Sequence, residues 1–409
     1  GTVTISSLSF CFGRAGDILG QKRLYRTGVS LYALGSGLVA VSQSFPQLLV
    51  SRGVMSIGLA LALPMSTAIL ASNFPPERRG QALGLFASVI AVGRATGPTL
   101  GGLILYLWGW RAVFLANCLI GIVISVAVFR IFKGREERRK EPFDFSGSLA
   151  LLIGYPALLI AVSSGANSGW NSPATALWVA LAITGLTSFG WIEFHAKSPL
   201  VDVALFKRRS LSAALLSLAM GSAVYSPISV CAPLYIQNVL GSSPLTVGII
   251  MASLPLCTAF SSPLSGRLAD RLEARVVASL GLGFILLGIF FYARLGISSD
   301  YFLVVVALSL IGVGSGFFMP ANQKAAFSAV GSEHYGILSA MLSSFGTAAG
   351  ALGTTIAVAL TEAAMPSREL QDPGNFAAGQ QFAFFTLLPL GVIALLISLV
   401  GSKSAKGKR

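Results

Sequence analysis

Apolar segments recur along the entire chain, separated by short polar connections. This rhythm limits what the chain can fold into. Thirteen segments are readable: 1–12, 27–43, 47–71, 82–106, 112–132, 147–165, 174–194, 210–236, 244–265, 276–293, 302–320, 336–361 and 381–400. A helix rises about 1.5 Å per residue, and the hydrocarbon core of a bilayer is about 30 Å thick. Most of the segments are therefore long enough to cross a membrane as helices, and an all-α integral membrane protein is expected. The first segment is the exception, because twelve residues reach only about 18 Å. The chain opens with Gly1 and lacks the basic start of a signal peptide, so upstream sequence is expected.

Composition excludes the main alternatives. Of 409 residues, 54% are hydrophobic and only 11% charged, with mean hydropathy +0.77. Soluble domains carry about 25% charged residues, so an ordinary soluble enzyme does not fit. Disordered chains are polar and charge-rich, the opposite of this one.

The net charge of +14 would suggest nucleic acid in a soluble protein. Here its distribution gives another meaning. Of the 29 Lys and Arg, 24 fall in alternate connections: 13–26, 78–79, 130–140, 197–209, 267–275, 324 and the tail 403–409. Basic residues are retained on the cytoplasmic side during insertion. The charge is thus a topology signal, and no nucleic-acid partner is expected. Membrane lipid is an expected partner; the basic stretch 130–140 reads first as a solvated inside loop, with contact to anionic headgroups as the alternative.

No cofactor site is legible. Cys11, Cys118, Cys231 and Cys257 sit in apolar stretches without a paired spacing, and His195 and His334 are far apart in connecting segments, so a metal site is not expected. The phosphate-loop pattern G-x-x-x-x-G-K-[ST] is absent. Uphill movement therefore has to draw on a gradient rather than on nucleotide hydrolysis by this chain.

An internal repeat marks two positions. Gly13-Arg14-Ala15-Gly16-Asp17, followed by Gly20, Lys22 and Arg23, matches Gly266-Arg267-Leu268-Ala269-Asp270-Arg271. Both follow an apolar segment, and duplicated halves are common in secondary transporters. Five segments precede 133, two lie within 133–209, and six occupy 210–400. One further N-terminal span would make two six-helix halves with two extra central spans. The expected divisions are 1–132, 133–209, 210–400 and a basic tail, 401–409.

These residues resemble the major facilitator superfamily, in particular its fourteen-span drug:proton antiporters. Residues 13–23 resemble the superfamily's signature between its second and third helices, departing from it at Ala15, Ile18 and Gln21. The stretch from Gly93 through Gly97, Pro98, Gly101 and Gly102 is similar to the antiporter pattern G-x-x-x-G-P-x-x-G-G. Trp108, Trp110, Arg111, Phe114 and Asn117 resemble the run that follows it. Residues 233–255 also resemble the fourteen-span branch. Arg52 aligns with the fourth-helix motif R-x-x-Q-G-x-G, with Met55 and Ser56 in place of Gln and Gly and Gly58 kept. The resemblance implies the major facilitator fold, no enzymatic activity, a proton gradient as energy source and alternating access. It also implies a latch at Gly13, Asp17, Gly20, Lys22, Arg23, Gly266, Asp270 and Arg271 that closes the cytoplasmic side. The residue chemistry fits these roles. A G-x-x-x-G step admits a close helix approach, Pro98 kinks a helix, and a carboxylate suits the N-terminus of a neighbouring helix.

Arg94 is unusual, lying about 18 Å from the inner end of its segment. A charge at mid-membrane costs about 2.5–3.5 kcal/mol unless it is paired or wetted, and no Asp or Glu lies mid-segment in this chain. A functional role and a structural one facing helix carbonyls both fit. Arg52 lies nearer an end and can snorkel. Phe86, Tyr225, Tyr235, Phe317 and Phe345 are candidates for a substrate cavity, and a pocket poor in polar groups suits bulky lipophilic molecules. The expected function is proton-coupled efflux of small lipophilic compounds by a monomer in the inner (plasma) membrane. The sequence names no periplasmic adaptor. The alternatives are an exporter of organic anions or metabolites on the same scaffold, and a non-transporting scaffold or sensor.

Overall fold

A computed structural model describes residues 2–132, 144–169, 171–195, 207–365 and 372–400. The expected linker residues 133–143 and 196–206 and the tail 401–409 lie outside the described residues. The described residues form α-helices, with one short 3-10 turn at Ser332–His334 and no strand. The helices are α1 (Thr2–Leu19), α2 (Gln21–Val41), α3 (Phe45–Asn73), α4 (Pro76–Ile131), α5 (Phe145–Ser168), α6 (Pro173–His195) and α7 (Arg209–Tyr225). There follow α8 (Ile228–Asn238), α9 (Pro244–Arg271), α10 (Ala274–Ala293), α11 (Tyr301–Ser328), α12 (Tyr335–Ala363) and α13 (Pro373–Val400). Ten helical stretches among the described residues are long and apolar enough to cross a membrane.

Local chemistry sets the boundaries. Gly20, at φ 102°, separates α1 from α2, a conformation that only glycine adopts without strain. Gly109, at φ 78°, is a non-helical corner within α4, which thus consists of two arms. Those arms match the separate segments 82–106 and 112–132. The Asp144 carboxylate accepts from the Gly147 N–H (2.8 Å) to cap α5. Ser243 caps α9, with Pro244 at its first turn, where a missing N–H costs nothing.

The 1–12 segment continues into an 18-residue helix, which is not among the stretches long and apolar enough to span. Other expectations need correction. The two Gly-Arg-x-(small)-Asp copies are not loops. Asp17 lies in the last turn of α1 and Asp270 in the last turn of α9. Their glycines do not break the helices, because they serve as contact points between helices. His195 likewise closes α6 rather than lying in a connection.

The chain forms two compact units. The first comprises Gly1–Asn73, Thr96–Leu205 and Val330–Ser344. Within it α2 lies along α3, α1 packs on α3 and α5, and α5 pairs with α6. The α5–α6 pair closes backbone to backbone, since a Cβ at Gly154 would stand 2.7 Å from the Leu186 nitrogen. The second arm of α4 follows α2, with the Ser30 and Ser125 hydroxyls 2.7 Å apart. The second unit comprises Phe74–Ala95, Phe206–Ala329 and Phe345–Arg409. Here α11 lies between α9 and α10, and α13 packs on α7 and α10. Its core holds Tyr235, Tyr292, Phe318, Phe327 and Phe384, all fully buried. The Tyr235 hydroxyl donates to the Gly296 carbonyl (2.7 Å), and the Tyr292 hydroxyl to Gln380 Oε1 (3.0 Å).

One close backbone contact in the second unit joins the start of α4 to the end of α9. A Cβ added at Gly266 would stand 2.3 Å from the Gly80 carbonyl oxygen, and one at Gly84 2.4 Å from the Ser262 carbonyl oxygen. The facing atoms are backbone and cannot yield. Gly266→Leu is therefore expected to lower the thermal unfolding midpoint sharply, because overpacking a filled contact costs about 1–3 kcal/mol or more. Gly93→Ala on the same α4 helix, where nothing lies within 4 Å of an added Cβ, should not lower the midpoint, since alanine favours a helix over glycine by about 0.5–1 kcal/mol.

Candidate functional site

The two repeated Asp residues perform the same task in different units. In the first unit Asp17 Oδ1 accepts from the Gly336 N–H (2.7 Å) and Oδ2 from the Ile337 N–H (2.9 Å). Both donors lie in the first turn of α12, where backbone N–H groups have no partner inside the helix and carry partial positive charge. Four residues before Asp17, Gly13 makes the approach possible: a Cβ there would be 2.6 Å from the Ala340 Cβ and 2.8 Å from the Gly336 carbonyl oxygen. Ser339 of α12 donates to the Pro64 carbonyl of α3 (2.7 Å) and bonds the Thr67 hydroxyl.

In the second unit Asp270 Oδ1 accepts from the Gly80 N–H (2.8 Å) and Oδ2 from the Gln81 N–H (2.8 Å), early in α4. Gly266, again four residues earlier, touches Gly80. Ser88, two turns on from Gly80, donates to the Ala259 carbonyl (2.6 Å). The rule is thus Gly-x-x-x-Asp at one helix end against a glycine near the start of another helix.

The electrostatic settings differ. Asp270 pairs with Lys324 of α11 at 2.6 Å, and that ammonium also donates to the Ala269 carbonyl (2.8 Å). Asp17 has Gln21 at 3.2 Å instead. Burial pushes the Asp17 carboxyl up to about 6, against the opposing pull of the Ile337 and Gly336 N–H groups, Gln21 and the Arg14 charge.

The other latch residues lie around these contacts. Gly20 makes the α1–α2 break, the Lys22 ammonium lies 5.8 Å from the Phe132 ring centroid, and Arg23 and Arg271 are exposed. The antiporter stretch runs along α4, and there the structure differs from expectation. An added Cβ at Gly93, Gly97, Gly101 or Gly102 meets nothing within 4 Å. The close approach falls at Gly80 and Gly84 instead, three to four turns earlier. The Pro98 side chain lies outside the described residues.

Arg94 is exposed. Arg52 stacks over Phe114 (5.2 Å), and Phe114 meets Trp110 edge-on (6.1 Å). Arg111 lies over Trp110 (4.5 Å) and donates to the Ser42 carbonyl (3.1 Å). The fourth-helix arginine and the Trp-Gly-Trp-Arg run thus form one corner of the first unit.

The cavity candidates have different settings. Tyr235 is a core residue, fully buried with its hydroxyl satisfied, which corrects its placement at a cavity. Phe317 packs against Phe284 at 6.2 Å. Phe86, Tyr225 and Phe345 are half-buried. A cavity of about 460 Å³ opens in the second unit, lined by Ser217, Glu273, Arg275, Asn322, Lys324 and Ser328 among others, and none of the five aromatic candidates borders it.

Sequence reasoning missed Lys324, Gly80, Gly84 and Gly336. Gly80-x-x-x-Gly84 is itself a G-x-x-x-G step and was available as a signal. Lys324 and Gly336 carried none, since their partners lie 54 and 319 residues away.

The sequence profile of the Major Facilitator Superfamily matches residues 2–354 and again 210–408. The chain belongs to the major facilitator superfamily. It is a multi-pass membrane protein of a carrier family, not an enzyme. It is 32% identical over 346 residues to the multidrug resistance protein Stp of Mycobacterium tuberculosis, a match covering 84% of this chain and 63% of Stp. It is 26% identical over 356 residues to the riboflavin transporter RibZ of Clostridioides difficile, covering 86% of this chain and 76% of RibZ. Among solved structures, the human organic anion transporter MFSD10 shares the fold. The TM-score is 0.68 at 18% identity, covering 97% of this chain and 81% of that one.

The Asp17 setting has a pH consequence. Its folded value of about 6 exceeds the ordinary 3.8, so the α1–α12 contact binds its proton more tightly than the opened form does. The stability that this proton contributes is fully present below about pH 4 and is lost as pH rises through about 6. Hydrogen exchange at Gly336 and Ile337, corrected for intrinsic rate, should show protection falling over that window. Asp17→Ala should remove the dependence and lower protection throughout, since two N–H groups lose their acceptors at about 1–3 kcal/mol each.

Proposed function

We propose that the chain functions in a proton-driven exporter of small lipophilic compounds, working by alternating access in the inner (plasma) membrane. The observation that carries the reading is the pair of carboxylate-capped helix contacts, Asp17 on α12 and Asp270 on α4. Each is a compact polar latch at a helix end on the basic side of the chain. Such a contact is held by a few directed bonds and a bare glycine surface, so it can open and reform as a unit. Similarity to the multidrug resistance protein Stp supports lipophilic drugs as the substrate class. The active protein is a monomer in this reading and needs no cofactor beyond the proton gradient.

A second reading, export of an organic anion or metabolite, is favoured by Arg94. It is an exposed cation within an apolar stretch of α4, where a positive charge is costly unless it serves a purpose. Similarity to the riboflavin transporter RibZ supports it.

The test uses the full-length protein in proteoliposomes under an imposed pH gradient. The leading reading expects transport of the cationic dye ethidium that stops when a protonophore collapses the gradient, and little transport of the anionic dye carboxyfluorescein. Transport of carboxyfluorescein alone, lost in Arg94→Leu, overturns it in favour of the second reading. Transport of neither dye with or without the gradient contradicts both.

A further inference from the structure

One cationic cluster lies beside the first latch and shares Arg23 with it, but its centre, Arg26, belongs to neither latch. It lies where the start of α2 meets the end of α4, in the first unit. The Tyr25 and Phe132 rings meet edge-on at 6.2 Å. The Arg26 guanidinium lies 5.6 Å from the Phe129 ring centroid, and its Nη2 donates to the Phe132 carbonyl. Arg23 and Arg130 stand exposed beside it, as do the apolar Phe129 and Ile131.

Three features of this cluster ask for an anion. First, Arg26 pairs with no carboxylate among the described residues, and its only hydrogen bond uses one of five N–H donors. Second, Arg26 Nε is sealed from bulk water and has no acceptor, a state that native structures normally complete with a bound group. Third, residues 20–27 and 121–132 contain no Asp or Glu, so nothing on these two helix ends offsets the three arginines. The surroundings say which anion. Exposed Phe129 and Ile131 lie at the end of the apolar stretch Leu100–Ile131, so the arginines lie at the edge of the hydrocarbon, where headgroups are. A planar guanidinium backed by aromatic faces suits the paired oxygens of a phosphate.

We propose that this surface binds the phosphate of an anionic membrane lipid. Arg26 is the phosphate ligand, Arg23 and Arg130 are flanking charges, and Phe129 and Ile131 lie against the acyl chains. The aromatic packing on Arg26 fixes the guanidinium in advance, so binding costs little side-chain entropy.

The test is native mass spectrometry of the full-length protein, equilibrated in vesicles of phosphatidylcholine and phosphatidylglycerol at 7:3 and then stripped with detergent. Wild type should retain phosphatidylglycerol selectively. Arg26→Gln should lower the retained phosphatidylglycerol-to-phosphatidylcholine ratio about fivefold, the effect of losing one interfacial cation. Because Arg26→Gln also removes the bond to Phe132, the double variant Arg23→Gln/Arg130→Gln, whose side chains form no ion pair among the described residues, should lower the ratio as well. Arg275→Gln, whose cation pairs with Glu273 in the second unit, should not. Inorganic phosphate at 10 mM separates the two phosphate sources. It should leave the thermal midpoint in pure phosphatidylcholine unchanged, whereas phosphatidylglycerol should raise it in wild type. Equal lipid ratios in wild type and both arginine variants overturn the proposal. So does stabilisation by free phosphate that is lost in Arg26→Gln, which would make the surface a soluble-anion site.

Discussion

A buried carboxylate facing the start of another helix is the interaction on which both units depend. An ionised side chain leaves water at a cost of several kcal/mol unless hydrogen bonds replace its hydration. Asp17 and Asp270 meet that cost with paired backbone N–H groups, which are fixed in direction and carry the positive end of the helix dipole. The geometry demands backbone within van der Waals distance of backbone, and only glycine allows it. That is why Gly13 and Gly266 stand one turn before the carboxylates, and why Gly336 and Gly80 stand opposite them. The small-residue contacts further along, Ser88 on Ala259 and Ser339 on Pro64, extend the same close approach into the apolar part of each unit.

The two latches share a plan but not an electrostatic balance. Lys324 pairs with Asp270 directly. Asp17 relies on Gln21 and more distant charge, and its proton affinity rises as the site dries. A protein with one titratable latch and one ion-paired latch has a built-in difference between its two units.

Much of the fold was legible because hydrocarbon thickness and the 3.6-residue turn impose a coarse grammar on the sequence. The segments 82–106 and 112–132 reappear as the two arms of α4, and the corner between them is Gly109. Helix ends were less legible. Gly13 and Gly16 read as turn residues, yet the helix runs through them, since a glycine needed for packing and a glycine needed for a turn look alike in one sequence. The repeated Asp residues were found by their spacing, because duplication leaves a local trace. Their partners were not, because Gly336 and Lys324 meet them only through the fold. The aromatic candidates were ambiguous for a different reason. Tyr235 has the composition of a cavity residue, but its hydroxyl finds a carbonyl at Gly296, and no feature of sequence separates a tyrosine satisfied in the core from one that faces a ligand.

The central claim is that these carboxylates hold helices together, rather than merely lying beside them. A double-mutant cycle on Asp270 and Lys324, read by thermal unfolding of the full-length protein, tests this most directly. Lys324→Met strands a carboxylate with about a tenth of its surface exposed and should cost about 3–5 kcal/mol. Asp270→Asn should cost less, and the double variant should fall well short of the sum, with a coupling above about 1 kcal/mol. Single costs that add to within about 0.5 kcal/mol would mean the pair is incidental to the contact, and would contradict the account.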